Sequence, residues 1–198
     1  TSASFRMVGP VFGIESGLSQ GQVTLFLTVA IVGGVAAQYP VGWIADKTDR
    51  RKVLIGLSVS AIIGCLAVAW LIGPGNTTVI FIGAFVFGMT SYPIYSVSAA
   101  YANDFAPKDF VVELSAALIF FYSVGAVVSP AVSAQLIAAY GPPALFVFIA
   151  AAHLALVLFA LYRMTRRTAA APGGEHSRLI SPRCNSAELK YVNGESCL

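Results

Sequence analysis

Two long stretches of the chain, residues 53 to 102 and residues 114 to 162, contain no Lys, Arg, Asp or Glu. A transmembrane helix takes about 20 predominantly apolar residues, so each stretch holds two spans once a turn divides it. Gly73-Pro74-Gly75-Asn76 divides the first, and Gly141-Pro142-Pro143 divides the second. The pattern therefore predicts helices over about 53–72, 78–102, 113–140 and 144–162. Upstream it predicts a helix over about 1–14, a polar turn from Glu15 to Gln20, a helix over about 22–45, and a compact charged loop from Asp46 to Lys52.

The first helix is too short to cross a bilayer alone, and the chain opens on Thr1 with no basic region, short apolar core and cleavage site. We therefore expect a piece of a longer protein, cut inside a membrane segment. From Arg163 onward the chain turns to Arg, Ser, Pro, Gly and Glu without apolar periodicity. Residues 164–198 are expected to form a disordered tail.

Composition strengthens the membrane reading. Hydrophobic residues make up 57% of the chain and charged residues 11%, against roughly 25% charged in a soluble domain. The net charge of +3 does not indicate nucleic acid, because the basic residues cluster at the flanks of apolar segments. Cys65, Cys184 and Cys197 show neither disulfide nor metal spacing and read as free thiols.

Charge position also gives orientation. Lys47, Arg50, Arg51 and Lys52 lie in one loop, Lys108 in another, and Arg163, Arg166 and Arg167 after the last helix. With alternating spans all three groups fall on one side, and the opposite loops hold no Lys or Arg. The positive-inside rule makes that side, and the C-terminus, cytoplasmic.

The densest motif is Gly42-Trp43-Ile44-Ala45-Asp46-Lys47-Thr48-Asp49-Arg50-Arg51-Lys52, at the end of the second helix. Gly42 and Asp46 share a helix face. The missing side chain at Gly42 would let a neighbouring helix approach closely, and Asp46 would be open to a helix N-terminus or a basic side chain.

This segment resembles the signature of the major facilitator superfamily, G-x-x-x-D-(R/K)-x-G-(R/K)-(R/K). Further stretches carry the likeness in order: Met7 to Gly13 before Gly17-Leu18-Ser19, Gln38 to Gly42, Phe87 to Val97, Ala102-Asn103-Asp104, and Gly125 to Pro130. Together they resemble the C-terminal half of the YcaD-like branch over nearly all of residues 1 to 167. The resemblance implies an all-α membrane protein, one six-helix half of a twelve-helix bundle in a bacterial inner membrane. The partners implied are the lipid bilayer, an N-terminal six-helix half absent from this chain, and a small solute of unknown identity.

In that family the signature acts as a gate, holding one access state closed through charged contacts; Gly42, Asp46, Lys47, Asp49, Arg50 and Arg51 are the residues concerned. The plainer reading of the same charges is topological. Asp49 departs from the family pattern, which has Gly there, and could pair with Arg50 or Lys52.

Gly88, Tyr92, Ser96, Ala99 and Asn103 share a small or polar face of one predicted helix, and Pro93 removes a backbone hydrogen bond within it. Tyr92, Tyr95, Ser96 and Asn103, with Tyr122 of the following helix, are candidates to line a pathway, ordinary packing being the alternative. Arg6, deep in an apolar stretch, is a candidate for an anionic-substrate contact or a coupling pair, or it snorkels to an interface. Gly125, Ser129 and Ser133 suit close helix packing, as do Gly33, Gly34 and Ala37. Glu113 suits a helix N-terminus, and His153 reads as a buried hydrogen-bonded side chain rather than a proton relay.

The function expected is secondary active transport by alternating access, proton-coupled by family resemblance, with any proton carrier in the missing half because no acid lies deep in these spans. A scaffold or sensor acting through the tail is the alternative. No catalytic residues, cofactor or metal are expected.

Overall fold

A computed structural model describes residues 1–71 and 76–166, with only the backbone of Lys108 and Arg166. The predicted turn over 72–75 and the tail beyond residue 166 lie outside the described residues. The described residues form seven α-helices in order: α1 Ser2–Glu15, α2 Gln20–Lys47, α3 Arg50–Leu71, α4 Thr77–Ser91, α5 Pro93–Asn103, α6 Val111–Tyr140 and α7 Ala144–Arg166. A short 3-10 turn over Lys108–Phe110 precedes α6.

Local chemistry sets the boundaries. Gly17 takes a positive φ of 87°, and the amides of Gly17 and Leu18 donate to the carbonyls of Ile14 and Gly13. This is the closing motif that a residue in the left-handed region makes possible. Two residues later Ser19 opens α2 with a capping box: its hydroxyl accepts from the Gln22 amide while the Gln22 side chain accepts from the Ser19 amide. Gly141 (φ 83°) and Pro142-Pro143 separate α6 from α7 in the same compact way.

The charged loop is shorter than the sequence suggests. α2 runs through Lys47 and α3 begins at Arg50, leaving Thr48 and Asp49 between them. Asp49 is the reason, since its carboxylate accepts from the Arg51 amide at 2.9 Å, which satisfies a helix-opening donor. Conversely α7 continues through Arg166, past the helix end expected at 162.

Among the described residues five stretches are long and apolar enough to cross a membrane: α2, α3, α4 with α5 as one broken span (Thr77–Asn103), α6, and α7 as far as Thr165. Their mean hydropathies run from 1.5 to 2.7, yet less than half of each apolar window is buried inside the bundle. Leu66, Trp70, Ile119, Val127 and Leu158 are among the exposed apolar side chains. In water such a surface would drive aggregation; in a bilayer it is the surface that lipid wets, so the chain is an integral membrane protein.

The core lies in the half of the bundle away from the basic loops. Phe5, Phe12, Phe26, Phe87 and Phe146, from α1, α2, α4 and α7, are all buried. The rings of Phe5 and Phe87 stack 4.1 Å apart, and Phe146 meets Phe12 edge-on at 5.0 Å. At the basic end the core thins to a small cluster of Ala45, Leu54 and Val97.

α2 lies close along α4 because both lack side chains at the crossing. A Cβ on Gly88 would collide with the Ala30 carbonyl, and one on Gly33 with the Phe85 carbonyl. Interfaces of small residues are how helices approach closely in lipid, where no hydrophobic drive joins them. The expected seam on α6 is only partly used: Ser133 is buried, but a Cβ on Gly125 would meet nothing.

Candidate functional site

Two groups of predicted residues are brought together, one at the basic end and one halfway through the bundle. At the basic end Arg50 is the centre. Its Nη2 lies 3.0 Å from Asp46 Oδ1, and its Nε lies 3.4 Å from Asp104 Oδ2. Since Asp46 ends α2, Arg50 opens α3 and Asp104 follows α5, one guanidinium ties three helices. Its fork of donors suits that task.

Asp46 remains mostly exposed, with 71% of its side chain accessible against 20% for Arg50. Two carboxylates share the one guanidinium, and that of Asp46 faces outward. Lys47 folds back over Trp43, its Nζ 3.8 Å from the ring centroid, and Arg51 lies over the Tyr101 ring at 5.5 Å. Both contacts are of the cation–π kind. Among the described residues Asp49 forms no ion pair with Arg50 or Lys52; its carboxylate instead caps α3.

Beside this cluster lies a groove of about 200 Å³ between α2 and α5, lined by residues that include Gln38, Gly42, Asp46, Arg50, Pro93 and Ser96. The close helix approach expected at Gly42 is not seen: a Cβ there would meet nothing within 4 Å. The bare glycine lines the groove instead of a helix contact. Gln38 Nε2 donates to Ser96 Oγ at 2.9 Å across the groove, while Ser96 donates to the Pro93 carbonyl at 3.0 Å.

Pro93 divides the long span into α4 and α5 and is the first residue of the latter. Its ring has no N–H to donate. Tyr92 sits at the break, its ring in the space left by Gly34, where a Cβ would collide with it. The Phe87 ring meets Tyr92 nearly perpendicular at 5.9 Å, and the Arg6 guanidinium lies over Tyr92 at 5.6 Å. Nearby, the exposed rings of Tyr95 and Tyr122 meet at 5.3 Å and join α5 to α6. Asn103 stands apart, exposed at the end of α5.

Sequence reasoning missed three participants. Asp104 and Gln38 are partners that spacing alone does not reveal, and Ser91 is the third: its hydroxyl lies 3.1 Å from His153 Nε2 in a buried contact between α4 and α7. A lone polar residue facing another apolar helix was the only available sign.

Residues 1–190 match a family model described as Major Facilitator Superfamily. An uncharacterized MFS-type transporter named YcaD from Escherichia fergusonii is 26% identical over 159 residues, covering 80% of this chain and 40% of that protein. Uncharacterized MFS-type transporters of Enterobacter and of Yersinia enterocolitica are 27% and 26% identical, each match covering 77% of this chain and 38% of the relative. The match thus spans about two fifths of the length of these relatives. No solved structure matches the chain.

Proposed function

Because the chain belongs to the Major Facilitator Superfamily, we propose that it is the C-terminal six-helix half of a secondary transporter. With a second six-helix half it moves a small solute by alternating access, the two halves rocking about a site near the membrane midplane. The activity is transport rather than catalysis.

The observation that carries this reading is the placement of Arg50 between Asp46 and Asp104 at the edge of the groove. A guanidinium holding the ends of α2, α3 and α5 keeps that end of the bundle shut. The exposed carboxylate of Asp46 is left to meet the other half, and rocking requires these charged contacts to break. Gly42, Lys47, Asp49 and Arg51 shape and anchor the same turn.

Arg6, Tyr92, Tyr95, Tyr122 and Ser96 line the path, and Asn103 lies at its basic end. In this reading that end faces the cytoplasm, as the positive-inside rule supports for its basic loops, with the C-terminus on the same side and a bacterial inner membrane as the setting. Coupling is to protons, the carrier residing in the other half, since the acids of the described spans sit at helix ends.

The test is solute uptake by the full-length protein in proteoliposomes offered a mixture of cell metabolites, read by mass spectrometry. Wild-type protein accumulates at least one solute, and Asp46→Asn and Arg50→Ala abolish or slow that uptake. No uptake by the wild type, or uptake indifferent to both changes, refutes the reading.

A further inference from the structure

Resting on the transporter reading above, we infer that the substrate is an organic monoanion whose charged group is held at the bilayer midplane by the Arg6–Tyr92 pair.

Depth comes from two independent measures. Arg6 lies roughly 14 Å inward from Glu15, the last residue of α1, at about 1.5 Å per residue. Tyr92 lies roughly 22 Å inward from Thr77 along a broken span of about 40 Å. Half the hydrocarbon thickness is about 15 Å, so both residues fall near the middle, and the contact between their side chains requires that they agree.

No carboxylate answers Arg6 at this depth. Among the described residues it takes part in no ion pair. Glu15, Asp46, Asp49, Asp104, Asp109 and Glu113 all stand at helix ends or in connections. An intramembrane cation is costly unless it faces a cavity or a counter-charge, and Arg6 is exposed on the bundle.

The surroundings prepare the guanidinium for an anion. Gly34 admits the Tyr92 ring and the edge-on Phe87 ring limits its tilt, so Tyr92 presents a fixed ring to Arg6. A cation held against a ring by its quadrupole keeps its N–H donors free. Those donors match the two oxygens of a carboxylate. One turn toward the basic end, the exposed Tyr95–Tyr122 pair supplies apolar ring surface for the rest of an organic molecule.

Charge bookkeeping then selects the class. One positive group with no counter-ion among the described residues favours a single negative charge and repels cations, and the aromatic wall favours an organic body over an inorganic ion.

The test is equilibrium binding to purified full-length protein, followed as the rise in melting temperature with benzoate, benzamide, benzylamine or chloride. Benzoate is expected to act at roughly ten- to a hundredfold lower concentration than benzamide, the value of a charge-assisted hydrogen bond. Benzylamine and chloride are expected to fall behind both. Arg6→Gln erases the preference for benzoate, and Arg6→Lys weakens it several-fold by losing the fork.

Equal action of benzamide and benzoate, or a preference that survives Arg6→Gln, overturns the inference and assigns Arg6 to a carboxylate of the other half. Should Arg6→Gln not fold, unchanged benzoate affinity in Arg6→Lys overturns it equally. Binding is read without flux, so a protein that prefers benzoate but moves no solute refutes transport alone. A protein that moves benzylamine and ignores benzoate refutes only this inference.

Discussion

The hydroxyl of Ser91 and Nε2 of His153 lie 3.1 Å apart in the interior of the bundle, joining residues 62 positions apart in sequence. Ser91 is the last residue of α4, directly before Tyr92 and the Pro93 break, and both partners are almost fully buried. The bond therefore fixes the upper side of the break to α7. The lower side is held separately by Gln38 and Arg50. The break is thus pinned on both sides by contacts that can be altered one at a time.

Removing either partner of this bond leaves the other buried and unpaired. We expect Ser91→Ala and His153→Ala each to destabilise the protein by about 1 to 2 kcal/mol. The coupling between them in a double-mutant cycle should be about 0.6 kcal/mol and at most about 1.7 kcal/mol, the mean and the upper end for hydrogen bonds between membrane helices. Unfolding in detergent measures both, and strictly additive effects would show that the bond contributes nothing.

Close helix approach is tested by two glycines with opposite surroundings. Gly88→Ala drives a methyl group into the Ala30 backbone, and overpacking of this kind costs about 1 to 3 kcal/mol. Gly125→Ala meets open space and should be neutral or stabilising by up to about 1 kcal/mol through helix propensity. Melting temperatures of the two variants decide it, and equal losses would contradict the α2–α4 crossing.

The departure of Asp49 from the family pattern makes a graded prediction. If Asp49 matters as the cap of α3, Asp49→Ala costs about 1 kcal/mol and Asp49→Gly only a few tenths. Asp49→Asn should be nearly silent, since it keeps the acceptor oxygen. Thermal unfolding of the three variants checks the order, and a large loss in Asp49→Asn would show that the charge is what counts.

These cases also show which features a sequence carries openly. Turn chemistry is local, so Gly17-Leu18-Ser19 and Gly141-Pro142 could be read directly, and so could the apolar spans between them. The charged signature was legible as a motif for the same reason. Partner choice was not legible: Gln38 finds Ser96 at a separation of 58 residues, and Asp104 meets Arg50 only because α5 returns beside α3. Gly42 shows the converse error. A glycine on a helix face permits contact, but whether a neighbour arrives depends on the tertiary arrangement, and at Gly42 none does. Asp49 invited a charge-pairing reading because its side chain was considered without the amides that open the next helix.

The central claim, that Arg50 keeps the basic end of the bundle closed beside the groove, is tested most directly by labelling a cysteine inside that groove. Ala100 lines it and Cys65 is buried, so Ala100→Cys in full-length protein, with Cys184, Cys197 and every cysteine of the other half replaced by serine, gives a single accessible reporter. Inside-out vesicles expose the cytoplasmic face to a membrane-impermeant maleimide. The account predicts labelling about tenfold faster when Arg50→Ala is added, the effect of shifting the opening equilibrium by about 1.4 kcal/mol. Equal labelling rates with and without Arg50 would contradict it.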